Sequence, residues 1–349
     1  MRIKKKAKRK ILKLLTMIFF LSGTLAIIST LFSKEFVNGS SELLIISSAK
    51  LKSKDFKKDI TIEENSYFEK YTIKLAEEAG DIDGQTFSTG YRVIVYGKLK
   101  DTSLKEGIHY GFNEDVDIST NGKKLTVVIP TSYKDNFVYL NPLDSRELII
   151  LAAKRDNPYD HTVTLDPGHG GADVGANYGD LYEKNVNLKI ALYMKMGLIY
   201  EGKRVIMTRE DDHVLLNDVQ WLDAITKTAN ASKSDAFVSI HINSFDKSEE
   251  PNGLSTYYYT KGHESQAKDR ILLAETIQKH IITSDGWKDM GVKEESFEVI
   301  RDTTMPSVLV ECGFMSNPGD RRRLSDDNTL MNLAENINKG IIEYLEANN

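Results

Sequence analysis

Residues 164–176 read TLDPGHGGADVGA. A short apolar strand runs into Asp166-Pro167 and then sets His169 between Gly168 and Gly170-Gly171. Glycine removes side-chain bulk and tolerates backbone angles that other residues avoid. The stretch therefore reads in two ways, as a tight turn that happens to hold a histidine or as an imidazole presented at the end of a strand. The residues downstream of it decide the fold.

After residue 176, strand-like and helix-like patterns alternate. Thr162–Leu165 and residues 204–208 read as strands, as do 237–242 and 308–310. Between them, residues 183–200 carry Leu188, Ala191, Leu192, the Lys195 stem, Leu198 and Ile199 at helical spacing, with Gly202 as the stop. A second helix ends near Ser232, and a third, over 266–283, has Ile271, Ala274, Ile277 and Ile281 on one stripe. The last helix uses Leu330, Leu333, Ile337, Ile341 and Leu345, and Arg321-Arg322-Arg323 reads as its solvated start. Such alternation predicts an α/β fold, an open, mostly parallel or mixed sheet with helices on both faces. No internal repeat or low-complexity tract interrupts it.

Upstream the character changes. Runs at 91–96, 125–129 and 148–151 are rich in β-branched, aromatic and apolar residues, and Asn121-Gly122 is a hairpin signal. Residues 33–157 are expected to form a small β-rich domain without a catalytic cluster, and the polar stretch ending at Pro158 sets the boundary to a second domain, 158–349. Residues 14–32, LLTMIFFLSGTLAIISTLF, carry no charge over nineteen positions, about one bilayer-spanning helix. Residues 1–13 before them hold eight basic residues and no acid. This pattern predicts a cytoplasmic basic segment, a single-pass transmembrane anchor and an extracytoplasmic body. The rival reading, a cleaved signal peptide, exports the same body.

The remaining chain holds 38 basic against 51 acidic residues, a net of −13. An acidic body argues against nucleic acid as a partner, because phosphate binding needs a basic surface. Cys312 is the only cysteine, which excludes a disulfide framework and a cysteine-based metal cluster.

Ligand sites in open α/β sheets lie beyond the C-terminal ends of the strands. There the reading places Asp166 and His169, then His241-Ile242-Asn243, then Glu311, with Glu183 opening the first long helix. Two imidazoles and a carboxylate make a three-ligand zinc set with one position left for water. A further carboxylate can take that water's proton and pass it to a leaving nitrogen. The most economical assignment is His169, Glu183 and His241 as ligands of one zinc ion and Glu311 as the acid/base. Each residue has a plainer reading. His169 could serve a turn, Glu183 a helix macrodipole and His241 the core, whereas a buried unpaired Glu311 would be costly without a function. Cys312 reads as a small buried hydrophobe.

Residues 161–346 resemble the zinc-dependent N-acetylmuramoyl-L-alanine amidases of the amidase type 3 family. The resemblance rests on LDPGHGGADVGA (165–176), Glu183 with Asn187-Leu188, VIMTREDD (205–212), SDAFVSIHINS (234–244), residues 290–320 and the last helix. It implies one zinc and cleavage of the amide between the muramic acid lactyl group and L-alanine of peptidoglycan. It implies the same four roles for His169, Glu183, His241 and Glu311. Arg301 and Asn243 become candidate substrate contacts, Arg301 having a surface ion pair as its alternative. The chain departs from the family at Ile225, four positions before Ala229-Asn230, where an arginine is usual. Residues 33–157 are compared with small wall-targeting domains, though no motif carries that likeness. The competing functions are a catalytically silent wall-binding protein of the same fold and another zinc peptidase of the wall. Stage of use, stem-peptide preference and any activator protein are not written in the residues.

Overall fold

The computed structural model describes residues 51–52, 60–87, 90–96, 109–111, 117–121, 124–212, 218–283 and 286–348. The expected basic segment 1–13 and expected anchor 14–32 lie outside them. Among the described residues no helix is long and apolar enough to cross a membrane.

The first ten strands are β1 (Leu51–Lys52), β2 (Ile60–Glu64), β3 (Phe68–Lys74), β4 (Ile82–Phe87), β5 (Gly90–Tyr96), β6 (His109–Gly111), β7 (Asp117–Asn121), β8 (Lys124–Ile129), β9 (Phe137–Asn141) and β10 (Asp144–Ala153). They form two sheets, ordered β1-β6-β7-β8-β5-β4 and β2-β3-β10-β9. β7 and β8 are antiparallel with Asn121 opposite Lys124, where Asn-Gly signalled a hairpin. Val93, Val95, Leu125 and Val127 of one sheet share a core with Tyr71, Ile73, Leu148 and Ile150 of the other. Side chains alternate across a strand, so Ile149, Leu151 and Ala153 of β10 face the opposite way. There they join Phe68 and, from the second region, Ile199 and Val205. The unbroken apolar run 148–153 is thus a strand buried on both faces.

The second region holds β11 (His161–Pro167), β12 (Asn177–Tyr178), β13 (Leu181–Tyr182), α1 (Glu183–Tyr200), β14 (Lys203–Met207), α2 (Asp218–Ser232), β15 (Ala236–Asn243), β16 (Leu254–Tyr258), α3 (Ala267–Ile281), β17 (Asp289–Glu294), α4 (Glu298–Arg301), β18 (Ser307–Phe314), α5 (Pro318–Leu324) and α6 (Asp327–Ala347). Its sheet runs β14-β11-β15-β18-β16-β17. The first four strands are parallel; β16 pairs antiparallel with β18 and parallel with β17, so the sheet is mixed. Helices α1, α3 and α6 cover one face through Ile190, Met194, Ile277 and Ile337 against Val163, Val238 and Val310. Helices α2 and α4 cover the other, packing Ala229 and Ile300 against Phe237 and Leu309.

Three expectations are corrected. Of the α1 positions expected on one stripe, Ala191, Leu198 and Ile199 are buried, alongside Val186, Ile190 and Met194, whereas Leu188, Leu192 and Lys195 turn to a different side. There they line, with Phe137, Tyr139 and Pro142, an apolar cavity of about 550 Å³ between α1 and β9. The helix is apolar on two sides, which periodicity alone cannot sort. Second, the arginine triplet does not begin the last helix. Pro318 at the first position and the Asn317 cap start α5, and Asp326 caps α6 separately. Third, Arg321 is not solvated; its side chain is 12% exposed.

Candidate active site

The parallel register does most of the positioning. On β15 and β18, His241 stands directly opposite Glu311, two residues beyond the pair Ser239↔Leu309. β11 delivers the third element. Its chain leaves the sheet at Pro167 and turns back through the glycine-rich loop, with His169 itself in the left-handed region at φ 62°. That backbone is costly for a non-glycine residue and marks functional sites when surroundings enforce it. The enforcing contacts are visible. Arg209, 5% exposed, donates to the carbonyls of Pro167, Gly168 and Lys184. Asp212 accepts from the Gly171 amide and from Lys184, which also donates to the Gly171 carbonyl.

The glycines have a sharper use than turning the chain. A Cβ on Gly168 would fall on the His241 imidazole, and one on Gly175 would lie 2.6 Å from Glu183 Oε2 and 2.7 Å from His169 Cδ2. They make room for ligand side chains of other elements.

Ligand atoms of His169, Glu183 and His241 all lie within 4.8 Å of one another. Glu183 Oε1 is 3.2 Å from His169 Nε2 and 3.1 Å from His241 Nδ1. The carboxylate is held by the backbone amides of Ile242 (2.9 Å) and Ala176 (2.8 Å), and by Asn187, which also donates to the Gly168 carbonyl. On the outer side, His169 Nδ1 meets Asp173 Oδ2 at 2.7 Å. A carboxylate there fixes which ring nitrogen faces inward and raises its basicity, as metal-ligating histidines usually require.

The electrostatics agree. Burial opposes charge on His169, but the Glu183 and Asp173 carboxylates outweigh it and lift the imidazole to about 9. Burial likewise opposes charge on Glu183, and the two imidazoles hold it well below the usual carboxylate range. His241 is raised against its burial by Glu183 and then Glu311. The trio is an anion-centred group that gathers positive charge. Two imidazoles and one carboxylate suit a borderline metal ion.

Glu311 is different. Burial pushes its carboxyl up to about 7, and Oε2 is sealed from solvent with no hydrogen-bond partner. An orphaned buried oxygen beside a candidate metal group calls for a functional explanation.

Asn243 ends β15 two residues after His241, beyond a register irregularity, and its carbonyl accepts from the Met315 amide. Arg301 ends α4. It forms a two-point ion pair with Asp302 at 2.7 and 2.9 Å, 40% exposed. Ile225 is 3% exposed within the α2–α4 cluster, so this position holds packing rather than an ion pair. Sequence reasoning missed Asp173, Arg209 and Asn187 as supports. The signals available were the four-residue spacing from His169, the lone arginine after β14, and an asparagine one turn beyond Glu183.

Comparison with known proteins gives the context. The profile of N-acetylmuramoyl-L-alanine amidases (amidase type 3) matches residues 163–343. The uncharacterised protein YqiI of Bacillus subtilis is 37% identical over 185 residues, 53% of this chain and 85% of YqiI. The N-acetylmuramoyl-L-alanine amidase LytC of the same organism is 33% identical over 231 residues, 65% of this chain but only 45% of LytC. A solved structure of the CwlD amidase from Clostridioides difficile, in complex with the GerS lipoprotein, superposes with a TM-score of 0.50 at 31% identity, covering 54% of this chain and 100% of that one. The chain belongs to the N-acetylmuramoyl-L-alanine amidase family.

Proposed function

We propose that this protein is a zinc-dependent peptidoglycan amidase that hydrolyses the bond between the muramic acid lactyl group and L-alanine. The observation that carries the reading is the convergence of His169, Glu183 and His241 within 4.8 Å, with Glu311 opposite His241 in the sheet register. His169, Glu183 and His241 would hold the ion. When bound, zinc acidifies water and polarises a carbonyl oxygen.

The rest of the chemistry belongs to the chain. The Glu311 carboxylate, whose Oε2 no protein group engages, takes a proton from the attacking water. The water oxygen bonds to the lactyl carbonyl carbon, the C–N bond breaks, and Glu311 returns the proton to the departing L-alanine nitrogen. The products are a lactyl carboxylate and a free amino terminus. Asp173 and the amides of Ile242 and Ala176 keep His169 and Glu183 oriented.

A digest of peptidoglycan should yield new L-alanine amino termini, and these should vanish with chelator or with Glu311→Ala. Metal-loaded protein that releases no such termini would refute the assignment. His169→Ala should empty the zinc site while leaving helical content unchanged; stoichiometric zinc in that variant would overturn the ligand set.

Residues 1–32 carry the location: we propose a single-pass membrane anchor with residues 158–349 outside the cytoplasm, tethered beside the wall. Protease protection of the C-terminal half in intact cells would contradict this. A protein partner is proposed on the likeness to the amidase solved with a lipoprotein. Co-purification from solubilised membranes tests it.

A further inference from the structure

Four large hydrophobic residues are exposed among the described residues: Ile62, Tyr96, Tyr178 at 57% and Phe245 at 44%. The last two lie close in the chain to metal-ligand candidates, Tyr178 five residues before Glu183 and Phe245 four residues after His241. Tyr178 lies in β12, whose hairpin with β13 closes at Glu183, through the bond from the Glu183 amide to the Ala176 carbonyl. Phe245 comes four residues after His241, just past the end of β15. They leave different elements, yet one residue ties them together. Arg321 of α5 stacks its guanidinium 3.6 Å from the centroid of the Tyr178 ring. It also donates to the carbonyls of Met315 and Ser316 at 3.0 and 2.6 Å. Ser316 Oγ in turn accepts from the Phe245 amide at 3.1 Å. The Met315 amide donates to the Asn243 carbonyl at 2.7 Å, and Asn317 donates to the Glu249 carbonyl at 2.7 Å. The result is a braced lip with two aromatic side chains turned to water. Each exposed ring offers an aromatic face against which a second ring can pack.

The chemistry of the lip chooses its occupant. Arg321 is 12% exposed and committed to two carbonyls, an aromatic face and Glu249 at 3.7 Å, so it is not free to receive an anion. The exposed charges on the loop around Phe245 are Asp246, Glu249 and Glu250 against Lys247. That surface repels the carboxylates of a stem peptide. It suits an uncharged ring with one polarised C–H face, because an aromatic face carries negative charge density. Resting on the amidase reading above, we infer that Tyr178 and Phe245, braced by Arg321, seat a pyranose ring of the glycan strand and thereby hold the lactyl amide at the trio.

The test uses the full chain loaded with zinc and compares Tyr178→Ala and Phe245→Ala with Tyr178→Trp and Phe245→Tyr. On polymeric peptidoglycan the alanine variants should raise KM about tenfold with kcat within about twofold, and the aromatic replacements should restore KM. On a lactyl-peptide carrying no sugar, all variants should match the parent. Zinc content and thermal midpoint, read alongside, should not move. An unchanged KM on peptidoglycan overturns the inference. So does an equal rise on the sugar-free peptide, which would put the lip on the stem. Sedimentation with peptide-free glycan strands separates this from the amidase assignment. Parent protein that binds the strands through Tyr178 but releases no L-alanine termini keeps the lip and refutes the amidase. Protein that releases termini, yet binds strands equally with or without Tyr178, does the reverse.

Discussion

At Glu311 stability and function pull in opposite directions. The carboxyl has a usual value of 4.5 and burial lifts it to about 7. Between these values the folded chain holds more protons than the unfolded one, so this group lowers stability as pH rises through the window. In the metal-free protein, Glu311→Gln should therefore raise unfolding free energy by about 2 kcal/mol at pH 8 and leave it unchanged at pH 4. Denaturant melts at the two pH values check this. The same substitution should cost about a thousandfold in kcat while zinc stays stoichiometric. Asp173 makes the complementary case, since it bonds the outer ring nitrogen of His169. Asp173→Ala should weaken metal affinity about ten- to hundredfold, measured by competition with a chromophoric chelator. The convergence of His169, Glu183 and His241, and the pairing of His241 with Glu311, were legible in the sequence, because strand ends and a helix start aim them at one rim. Asp173 went unread as a support despite its four-residue spacing from His169, since that contact depends on a left-handed histidine and a tight loop held by Arg209 and Asp212.

Strands with strong patterns were readable and weak ones were not. Runs 91–96 and 125–129 became β5 and β8 almost unchanged, and residues 183–200 bound α1 as expected. β16 and β17 went unread. LSTYY opens with one buried leucine and two small polar residues, and DMGVKE is a half-exposed edge strand with a glycine in it. Both are set by pairing within the β18-β16-β17 edge rather than by their own composition. β10 shows the opposite limit: a run that reads plainly as a strand conceals that its two faces serve different cores. Leu151 is fully buried on the face it shares with Phe68 and Ile199. Leu151→Ala should cost about 2–4 kcal/mol, read as a lower denaturant midpoint.

The shared layer of Phe68, Leu151 and Ile199 bears on how the whole molecule unfolds. Tyr67 and Lys203 add a polar seam, both bonded to Asp160 at 2.6 and 2.7 Å, and the Lys203 side chain is 4% exposed. Two regions with separate cores would melt separately if only a linker joined them. Here calorimetry of the metal-free chain should show one transition, and Leu151→Ala should shift that whole transition rather than split it. Two resolved peaks in the parent protein would contradict the coupling. The family match begins at residue 163 and says nothing of the β-sandwich, so this coupling could not be anticipated from the catalytic motifs. The doubly buried β10 also has a consequence for handling the protein. A chain begun at Pro158 would keep every metal ligand yet expose Ile199 and Val205 to water, leaving a sticky patch. It would be expected to self-associate, and its colloidal behaviour, rather than its chemistry, would reveal that the sandwich had been removed.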